Sequence, residues 1–329
     1  MKLKGTALVI GKFHPLHKGH EFLLNFAGNS CDKVIVLVDK FKGQTIPEKT
    51  RAKWIKELFP TYIVKPLRQA TPQQPEDLPD FWNYWRKTIT RYAGKIDYVV
   101  ASETYGIKLS EVLQAQLIMC NQQRSAINIS ATTIKGDTLR NWDKLTEPCK
   151  RDLQQKVLIL GPECSGKTTT AKFLADNLGG TYVPEYVEEQ LKADREISYS
   201  LLEEAITCQA ALEISAKALL SPILIMDSNF ITTQVWCEKL FGKTLKKPSN
   251  ALRPDITLLF RPLEIWRPDK HRMPEQAAMQ TRQEFFNAMK AKLERLKWPF
   301  KVISGTIKER NSDSTASINK TSKINWELK

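Results

Sequence analysis

Gly11-Lys-Phe-His-Pro-Leu-His-Lys-Gly-His20 is the stretch that decides the fold of the first half of this chain. Before it, the apolar run Ala7-Leu-Val-Ile10 predicts a buried strand, and after it Glu21-Phe-Leu-Leu-Asn-Phe-Ala27 predicts a helix. The histidines therefore lie at a strand-to-helix junction, where the helix N-terminus offers free N–H groups and a partial positive charge. Because imidazoles also donate hydrogen bonds to phosphoryl oxygens, the junction predicts a phosphate-binding site.

Residues of this stretch suit a nucleoside triphosphate that is attacked at its α-phosphate. We expect His17 and His20 to contact phosphate, while Gly19 lets the backbone approach and Lys12 adds a cation. Further along, Ile129-Ser-Ala-Thr-Thr-Ile-Lys135 opens another predicted helix, whose hydroxyl and N–H groups suit the β- and γ-phosphates. The alternative for the histidines is a turn in which they cap the helix or pack in the core.

Strands and helices alternate along the rest of the chain. The predicted strands are 34–38, 97–101, 156–160, 223–226 and 256–260, and the predicted helices are 49–59, 81–92, 109–120, 169–175 and 281–296. A proline-rich loop covers 69–80, because proline excludes regular structure there. The alternation predicts α/β domains, each a mainly parallel sheet covered by helices on both faces.

The chain divides at a polar break near residues 147–155, after which a new apolar strand restarts the pattern. A length of 329 residues also suggests two domains. We expect a first domain at 1–152 and a second at 153–310. Residues 311–329 are rich in Ser, Thr, Asn and Lys, so we expect them to form a flexible polar tail.

The second domain opens with Gly161-Pro-Glu-Cys-Ser-Gly-Lys-Thr168, a Gly-x4-Gly-Lys-Thr loop placed directly between a predicted strand and a predicted helix. The glycines allow backbone N–H groups to wrap phosphates. Lys167 reaches the β- and γ-phosphates, and the Thr168 hydroxyl binds Mg²⁺. Asp227 ends a later apolar strand, where a carboxylate can hold Mg²⁺ or its water. The pattern predicts an ATP site for γ-phosphoryl transfer.

Further residues of the second domain are candidates for substrate chemistry. Glu185 can deprotonate an acceptor hydroxyl, the alternative being a solvated acid at a helix start. The charged loop Arg267-Pro-Asp-Lys-His-Arg272 suits a lid whose arginine touches the transferred phosphoryl group, with Arg282 assisting. Trp266 beside it is placed to stack on a base.

Two tryptophans follow the proline-rich loop, Trp82 and Trp85. They suit an aromatic platform for a flat cationic ring, since a pyridinium stacks well on indole. Ordinary core packing is the alternative.

Composition and charge exclude several classes of protein. The apolar share of 42% is enough for real cores, and no apolar run approaches the ~20 residues that span a bilayer. Six scattered cysteines indicate reduced thiols and a cytosolic location, and they do not cluster with histidine as a zinc site requires. The net charge is +14, but without a basic block or a nucleic-acid motif it is explained equally well by anionic nucleotides. Nucleic acid is therefore not the expected functional partner.

The two motifs of the first half together resemble those of the nucleotidylyltransferase superfamily, (H/T)xGH and ISxTxxR. They are His17-Lys-Gly-His20 and Ile129-Ser-Ala-Thr-Thr-Ile-Lys135. Lys135 stands where that family usually has Arg, which keeps the charge and loses the bidentate fork. Ser102-Glu-Thr-Tyr-Gly106 resembles a stretch of nicotinamide-mononucleotide (NMN) adenylyltransferases of the NadR type.

The second half resembles the ribosylnicotinamide kinase domain of the NadR family. The matching pieces are Gly161–Thr168, Pro184-Glu-Tyr186, Met226-Asp-Ser-Asn-Phe-Ile-Thr-Thr-Gln234 and Trp266 to Arg272. The family usually has Asp-Thr-Asp where this chain has Asp227-Ser-Asn229, and Asp-Gly-x-Arg where it has Asp269-Lys-His-Arg272. Some members carry an N-terminal helix-turn-helix domain. Because this chain begins at the first nucleotidylyltransferase strand, neither that domain nor repression through it is expected.

The NadR resemblance implies two doubly wound parallel-sheet domains, a Rossmann-like nucleotidylyltransferase and a P-loop kinase. It also implies a bifunctional enzyme of NAD salvage, in which ATP and Mg²⁺ phosphorylate nicotinamide riboside and the resulting NMN is adenylylated to NAD. Its partners are then small nucleotides, and the sequence leaves homo-oligomer formation open. One alternative is a nucleotidylyltransferase for another phosphorylated metabolite fused to a different nucleoside kinase. Another is a nucleotide-sensing regulator with weakened activity.

The motifs and the resemblance together predict the following site residues. Catalytic roles are assigned to His17, His20, Lys167, Glu185, Asp227 and Arg272. ATP contacts in the first domain are assigned to Lys12, Phe13, His14, Gly19, Ser130, Thr132, Thr133 and Lys135. ATP contacts in the second domain are assigned to Gly161, Glu163, Cys164, Ser165, Gly166, Thr168, Thr169 and Arg282, with Thr168 and Asp227 on Mg²⁺. The second substrates are assigned to Trp82, Trp85 and Tyr105 in the first domain and to Tyr186, Asn229, Trp266 and Asp269 in the second.

Overall fold

The structure, a computed structural model, describes residues 1–123, 125–264, 266 and 278–322. These fall into two compact units, one up to Asp152 and one from Leu153 onward. Each unit holds a five-stranded sheet whose paired strands are parallel, with helices between successive strands. The predicted α/β fold class is confirmed.

The first unit alternates strands and helices from its first residues. Its strands are β1 (Leu3–Gly11), β2 (Cys31–Val38), β3 (Ile63–Pro66), β4 (Tyr98–Ala101) and β5 (Gln116–Met119). Its helices are α1 (Lys18–Ser30), α2 (Glu48–Leu58), α3 (Phe81–Ala93), α4 (Tyr105–Leu113) and α5 (Ala131–Gly136), followed by α6 (Glu147–Leu153) at the predicted break. The sheet order is β3-β2-β1-β4-β5, so the strand order reverses beside β1. In doubly wound sheets, ligands bind at such a reversal.

The second unit repeats this architecture. Its strands are β6 (Gln155–Leu160), β7 (Thr181–Val183), β8 (Ile223–Asp227), β9 (Ile256–Phe260) and β10 (Phe300–Ile303), in the order β10-β9-β6-β8-β7. Its helices are α7 (Lys167–Leu178), α8 (Tyr186–Lys192), α9 (Tyr199–Lys217), α10 (Phe230–Phe241), α11 (Met279–Leu296) and α12 (Ile307–Thr321). Successive residues of β6 enter two different buried clusters, with Leu158 in one and Ile159 in the other. Both faces of this sheet are therefore covered, as near-continuous apolar strands require.

The predicted helix over 109–120 is wrong in its second half. Helix α4 ends at Leu113, because Gln114 takes a left-handed conformation with φ of 53°. Residues Gln116–Met119 then form β5, which pairs with β4. Strand pairing at the sheet edge has overridden the local helical pattern of a short apolar run.

The prediction of a flexible tail is wrong for residues 311–321, which belong to helix α12. One face of this helix is buried through Arg310, Ser314, Ser317 and Ile318. These positions follow the i, i+4, i+7, i+8 spacing of a helix face, but three of the four side chains are polar. A composition rich in Ser, Thr and Asn therefore concealed a packed helix.

Two general expectations concern cysteines and membranes. All six cysteines are free thiols in the structure. Within the described ranges, no helix is both long and apolar enough to cross a bilayer.

Candidate functional site

The first unit has a cleft of 560 Å³ at the carboxyl ends of its central strands. Gly11 ends β1, and Asp39 directly follows β2 and donates its N–H to the Gly11 carbonyl over 3.0 Å. Ser102 lines the cleft just after β4, on the other side of β1. We call this the first cleft. Its position coincides with the reversal of strand order, where α/β folds bind their ligands.

His17 both caps helix α1 and supports His20. Its Nδ1 accepts hydrogen bonds from the backbone N–H groups of Gly19 (3.1 Å) and His20 (3.3 Å). The neutral ring therefore carries its proton on Nε2, where it can be donated to an anion. A Cβ at Gly19 would lie 3.0 Å from the His17 ring, which is tighter than an ordinary van der Waals contact. The two imidazoles stack with centroids 3.7 Å apart, and His20 lines the cleft while His17 is 4% exposed.

His14 is tied to the chain that follows β2. Its Nε2 accepts hydrogen bonds from the N–H groups of Thr45 (3.2 Å) and Ile46 (3.1 Å). Burial, reinforced by the charges of Lys135 and Arg51, lowers the pKa of His14 to about 3. His14 therefore stays neutral at ordinary pH. It lines the cleft and anchors a loop, and the ATP contact predicted for it stays a prediction.

Side-chain cations supply the positive charge of the first cleft. Lys12 and Lys135 both line it. Burial lowers the pKa of Lys135, and the nearby charges of Lys12 and Arg51 lower it further. Such mutual repulsion is relieved when an anion binds between the cations. Arg140 lies five residues after Lys135 and forms an exposed ion pair of 3.3 Å with Asp137.

Helix α5 begins with hydroxyl groups that bond to one another, and their predicted phosphate contacts stay a prediction. The Ser130 hydroxyl accepts a hydrogen bond from the Thr133 N–H over 3.1 Å and lies 2.8 Å from the Thr133 hydroxyl. Both residues therefore cap the helix start. Thr132 lines the cleft, together with Ala131.

The two tryptophans predicted either to stack on a cationic ring or to pack in the core lie at the border between the first cleft and the core. Trp82 and Trp85 line the cleft, and Trp85 also belongs to the apolar core beside Phe81. Phe13 lies edge-on to His20, with centroids 5.0 Å apart. The Tyr105 hydroxyl donates to the Ile10 carbonyl over 2.9 Å, which holds the start of α4 against the end of β1.

Two charged residues of the first unit were missed from the sequence. Asp39 is 5% exposed and accepts hydrogen bonds from Thr71 and Gln73, and burial raises its pKa. Arg51 is fully buried and donates to the carbonyls of Ile46 (3.0 Å) and Lys12. Burial lowers the pKa of Arg51 to about 10. Neither lies in a recognisable motif, although an aspartate directly after a strand was a usable signal.

The second unit has a cleft of 350 Å³ formed around the P-loop, which we call the second cleft. All residues of Gly161–Thr168 line it, and so does Thr169. Gly161 cannot be replaced without strain, because a Cβ would lie 2.7 Å from the Phe260 carbonyl oxygen. Gly166 has φ of 79° and begins helix α7 without a side-chain cap. The N–H groups of the first turn are therefore left for an anion.

A buried arginine supports the P-loop through hydrogen bonds to backbone carbonyls. Arg310 of helix α12 is 1% exposed, and its guanidinium donates to the carbonyls of Ser165 (3.0 Å), Arg261 (2.8 Å) and Gly305 (2.7 Å). The Lys167 ammonium donates to the Pro162 carbonyl over 3.0 Å, so it lies across the loop. Nothing in the sequence distinguished Arg310 from the polar residues around it.

Two carboxylates lie beside the P-loop. The β6–β8 register places Asp227 opposite Ile159, two residues before the loop begins. Asp227 is fully buried, hydrogen-bonds Thr168, and accepts from the Tyr182 hydroxyl over 3.2 Å. Burial raises the pKa of Asp227.

Glu185 lines the second cleft and accepts a hydrogen bond from the Ser228 hydroxyl over 3.0 Å. Burial raises its pKa to about 7, although the charge of Lys167 acts in the opposite direction. It is therefore not the solvated helix-start acid of the alternative interpretation. A carboxylate with a pKa near neutrality is suited to accept a proton.

Several residues predicted for the second cleft have other contacts. Asn229 is 2% exposed and caps α10 by accepting from the Ile231 N–H over 2.9 Å. The Tyr186 hydroxyl donates to Glu204 over 2.6 Å. Arg282 is 1% exposed, donates to the Leu263 carbonyl and lies 5.6 Å from the Trp266 ring. Arg282 and Trp266 therefore hold the segment that leads to the predicted lid, while Asp269 and Arg272 lie outside the described residues.

The remaining lining of the second cleft was not predicted. Its far wall is apolar and aromatic, and Glu188 adds a further carboxylate. Trp236 packs against Phe285 with ring centroids 4.6 Å apart. Such a wall suits the flat face of a base or a pyridine ring.

Comparison with known proteins shows what each part of this chain is similar to. A family profile described as an AAA domain matches residues 156–310. The "Trifunctional NAD biosynthesis/regulator protein NadR" of Salmonella typhimurium is 24% identical over 73% of this chain and 64% of its own length. Its namesake in Escherichia coli is also 24% identical, over 88% of this chain and 77% of its own length. The chain thus spans just under two thirds of the Salmonella relative.

Solved structures extend the similarity to the fold. One described as NadR protein in complex with NR has a TM-score of 0.60 at 18% identity, covering 98% of this chain and 97% of that one. Another, described as NadR protein in complex with NAD and AMP-PNP, has a TM-score of 0.56 at 19% identity and covers 98% of both chains. The resemblance to the NadR family that the motifs indicate is thereby confirmed across both halves of the chain.

Proposed function

We propose that this chain is a bifunctional enzyme of NAD salvage, which phosphorylates nicotinamide riboside and adenylylates the resulting NMN. The observation that carries the proposal is the pairing of two different phosphate sites in one chain. One unit holds stacked histidines beside a cleft lined by two lysines, and the other holds a P-loop beside the buried Asp227 and the half-buried Glu185. The NadR relatives are named for NAD biosynthesis, and the solved NadR structures are described with NR, NAD and an ATP analogue.

In the kinase reaction, the second cleft positions ATP against the 5′-hydroxyl of the riboside. The P-loop N–H groups and Lys167 hold the β- and γ-phosphates and neutralise the charge that moves onto the leaving ADP. Glu185 takes the proton of the hydroxyl as its oxygen bonds to the γ-phosphorus. The pKa near 7 places Glu185 within range of that task at cellular pH.

Mg²⁺ fits the donor set of the second cleft. The Thr168 hydroxyl hydrogen-bonds Asp227, whose Oδ1 is buried with no partner among the described residues. A hydroxyl and a carboxylate oxygen are the ligands that this ion takes from P-loop proteins. When bound, Mg²⁺ would neutralise charge on the β- and γ-phosphates. Asp227 is then held ionised by the cation, although burial alone raises its pKa.

In the adenylyl-transfer reaction, the first cleft needs no protein nucleophile. A phosphate oxygen of NMN attacks the α-phosphorus of ATP, and the bond to the β-phosphate breaks to release pyrophosphate. His20, Lys12 and Lys135 line the cleft and stabilise the charge on the α-phosphate and on the leaving group. Trp82 and Trp85 offer the pyridinium a stacking surface.

A two-step assay tests the proposal. The protein is supplied with nicotinamide riboside, ATP and Mg²⁺, and NMN and NAD are followed separately. We expect the wild type to form NAD, His20→Ala to stop at NMN, and Lys167→Ala to form NAD only when NMN is supplied. The double variant is expected to make neither product.

Three outcomes contradict the proposal. If riboside is not phosphorylated by the wild type, the second unit is a kinase for another substrate. If titration shows binding of pantetheine phosphate and none of NMN, the first unit acts on another phosphorylated metabolite. NMN that accumulates with no NAD leaves the first unit as a sensor.

A further inference from the structure

A second concave surface of the first unit lies outside both clefts. It is a groove of 1220 Å³ between the end of β2, the start of α2, β3 and one face of α3. We call it the basic groove, after its cationic lining residues. They are Lys40, Lys49, Lys65, Arg68, Lys87 and Arg91. The groove and the first cleft share no lining residue, and the Thr71 hydroxyl of the groove wall donates to Asp39 of the cleft wall.

The charge of the basic groove is not balanced by acids. Among the described residues that line it, the one acid is Glu48, which is 7% exposed and already paired with Lys40 at 3.7 Å. Four of the cations, Lys49, Arg68, Lys87 and Arg91, are exposed and have no acidic partner in the described part of the chain. Concentrated positive charge in a concave surface focuses the field and attracts anions.

Helix α3 has one face buried in the core and another face that carries part of the positive charge of the basic groove. Phe81, Trp85 and Ile89 are buried and anchor the helix to the core. The groove face carries Tyr84, Lys87, Thr88 and Arg91, which follow the i, i+3, i+4, i+7 spacing. Lys87 and Arg91 are like charges at i and i+4, which destabilises a helix unless an anion lies between them.

Two of the lysines are fixed in place rather than mobile. The Lys65 ammonium donates to the Tyr92 carbonyl over 2.7 Å, and the Lys40 ammonium donates to the Arg68 carbonyl over 3.4 Å. The Tyr92 hydroxyl accepts from the Arg68 N–H over 3.2 Å, which ties α3 to the end of β3. The groove walls are therefore cross-linked by hydrogen bonds, and the cations stand along a preformed channel.

The size and the aromatic residues of the groove identify the ligand class. A single phosphate is satisfied by two or three cations, whereas here they line opposite walls supplied by three elements. Tyr84 and Tyr92 lie among the cations, and aromatic side chains between cations are how proteins stack the bases of single strands. A duplex keeps the faces of its bases stacked, whereas a single strand exposes them to the tyrosines.

We propose that the basic groove binds single-stranded nucleic acid, with the cations on its phosphodiester backbone and the tyrosines against its bases. This binding is independent of the two enzymatic reactions. The sequence concealed it because the cations are spread from residue 40 to residue 91 and never form a basic block.

Fluorescence anisotropy of labelled single-stranded RNA and DNA oligonucleotides tests the proposal on the full chain. We expect binding that weakens as salt rises, with a log–log slope of about −0.7 for each phosphate contacted. The pair Lys87→Gln/Arg91→Gln should weaken binding at least ~10-fold at low salt and make the slope shallower by about 1.4. The matched control, Lys53→Gln/Lys95→Gln, removes two exposed cations outside the groove and should change neither.

A third variant separates nucleic acid from other polyanions. Tyr84→Leu should weaken oligonucleotide binding several-fold and leave the binding of inorganic polyphosphate unchanged. Thermal melting of each variant verifies that it is folded. The proposal is overturned if oligonucleotides do not bind at low salt, or if the groove pair and the control pair weaken binding equally. It is also overturned if duplex binds more tightly than single strand, or if Tyr84→Leu has no effect.

Discussion

The two clefts differ in the groups that are available to bind an anion, which are mainly side chains in the first cleft and mainly backbone N–H groups in the second. In the first unit, His17 and Ser130 already occupy backbone N–H groups at the starts of α1 and α5. In the second unit, Gly166 begins α7 with no side-chain cap, so those N–H groups remain available. The first cleft must therefore draw its positive charge from side chains, while the second draws it largely from the backbone and one lysine.

This difference predicts different responses to substitution. A cleft built from several side chains loses its activity in steps, because each cation or imidazole contributes separately. A cleft built from backbone loses its activity when the loop changes shape or when one of a few chemical groups is removed. The following predictions test this contrast, since each activity serves as the internal control for the other.

Glu185→Gln should have the largest effect, lowering the kinase rate about 10³-fold while adenylyl transfer is unchanged. Burial raises the pKa of Glu185 to about 7, and the base must be ionised. The kcat/KM of the wild-type kinase should therefore rise tenfold per pH unit below about 7 and level off above it. Initial rates across the pH range measure this.

The control for this prediction is Glu189→Gln, which removes an exposed carboxylate from the same helix. It should leave both the rate and the pH profile unchanged. A Glu185→Gln enzyme that keeps its rate would show that positioning alone drives the reaction.

His17→Asn should have the next largest effect, lowering adenylyl transfer ~10²-fold with little change in melting temperature. Asparagine is a good N-cap and can keep the hydrogen bonds to Gly19 and His20. It lacks the ring that stacks on His20 and the Nε2–H that we propose donates to phosphate. The substitution therefore separates the cap from the phosphate contact, which the sequence left as alternatives.

Two measurements complete this test. His17→Ala should lose the activity and also about 1 kcal/mol of folding free energy, because the cap is removed as well. Full activity in His17→Asn would mean that His17 is a cap alone. The first cleft would then depend on His20 and the lysines.

Arg310→Met should raise the KM for ATP in the kinase reaction about tenfold and leave adenylyl transfer intact. It removes the guanidinium that joins the carbonyls of Ser165, Arg261 and Gly305, so the P-loop loses its support. Unpaired buried carbonyls also lower stability by ~1–3 kcal/mol. Steady-state kinetics with ATP varied measures the KM.

Added guanidinium ion distinguishes positioning from general destabilisation. If Arg310 acts by holding the loop, a low concentration of guanidinium should recover part of the affinity for ATP in Arg310→Met. A fall in kcat with an unchanged KM would contradict the assignment, since Arg310 does not line the second cleft.

The sequence located those parts of both sites whose spacing is local. The P-loop and the His-x-Gly-His turn each complete their geometry within ten residues, and so a motif is enough to find them. Arg310 could not be found in this way, because it lies 145 residues from Ser165 and on a helix of mostly polar residues. Asp39 and Arg51 were not predicted for the same reason, since their roles arise from contacts with residues distant in the sequence of the first unit.

The sequence also could not say which member of a motif faces the ligand. Of the three clustered histidines, His14 and His20 line the cleft, His14 also anchors a loop, and His17 caps helix α1. Each role depends on which backbone N–H groups the ring nitrogens of that histidine accept hydrogen bonds from. For His14 those groups belong to residues 31 and 32 positions along the chain, so the local motif does not reveal them. Asn229 is a similar case, because its amide oxygen caps α10, a role that an aspartate would fill equally well.

His14→Gln should have the smallest effect, a change in how stability depends on pH. The folded-state pKa of His14 is lowered to about 3, below the value of 6.5 expected in the unfolded chain. The unfolded state therefore binds a proton that the folded state rejects, and stability falls as pH drops from about 6.5 towards 3. In His14→Gln this contribution is absent, so its melting temperature should vary less with pH across that window.

Melting curves of the first unit's transition at several pH values measure the difference between the two slopes. Near neutral pH the variant should melt a few degrees lower, since glutamine holds the N–H groups of Thr45 and Ile46 less well than the imidazole. Equal slopes would mean that His14 titrates freely in the folded protein. His14 could then carry a positive charge in the first cleft, and side chains would supply still more of that cleft's charge.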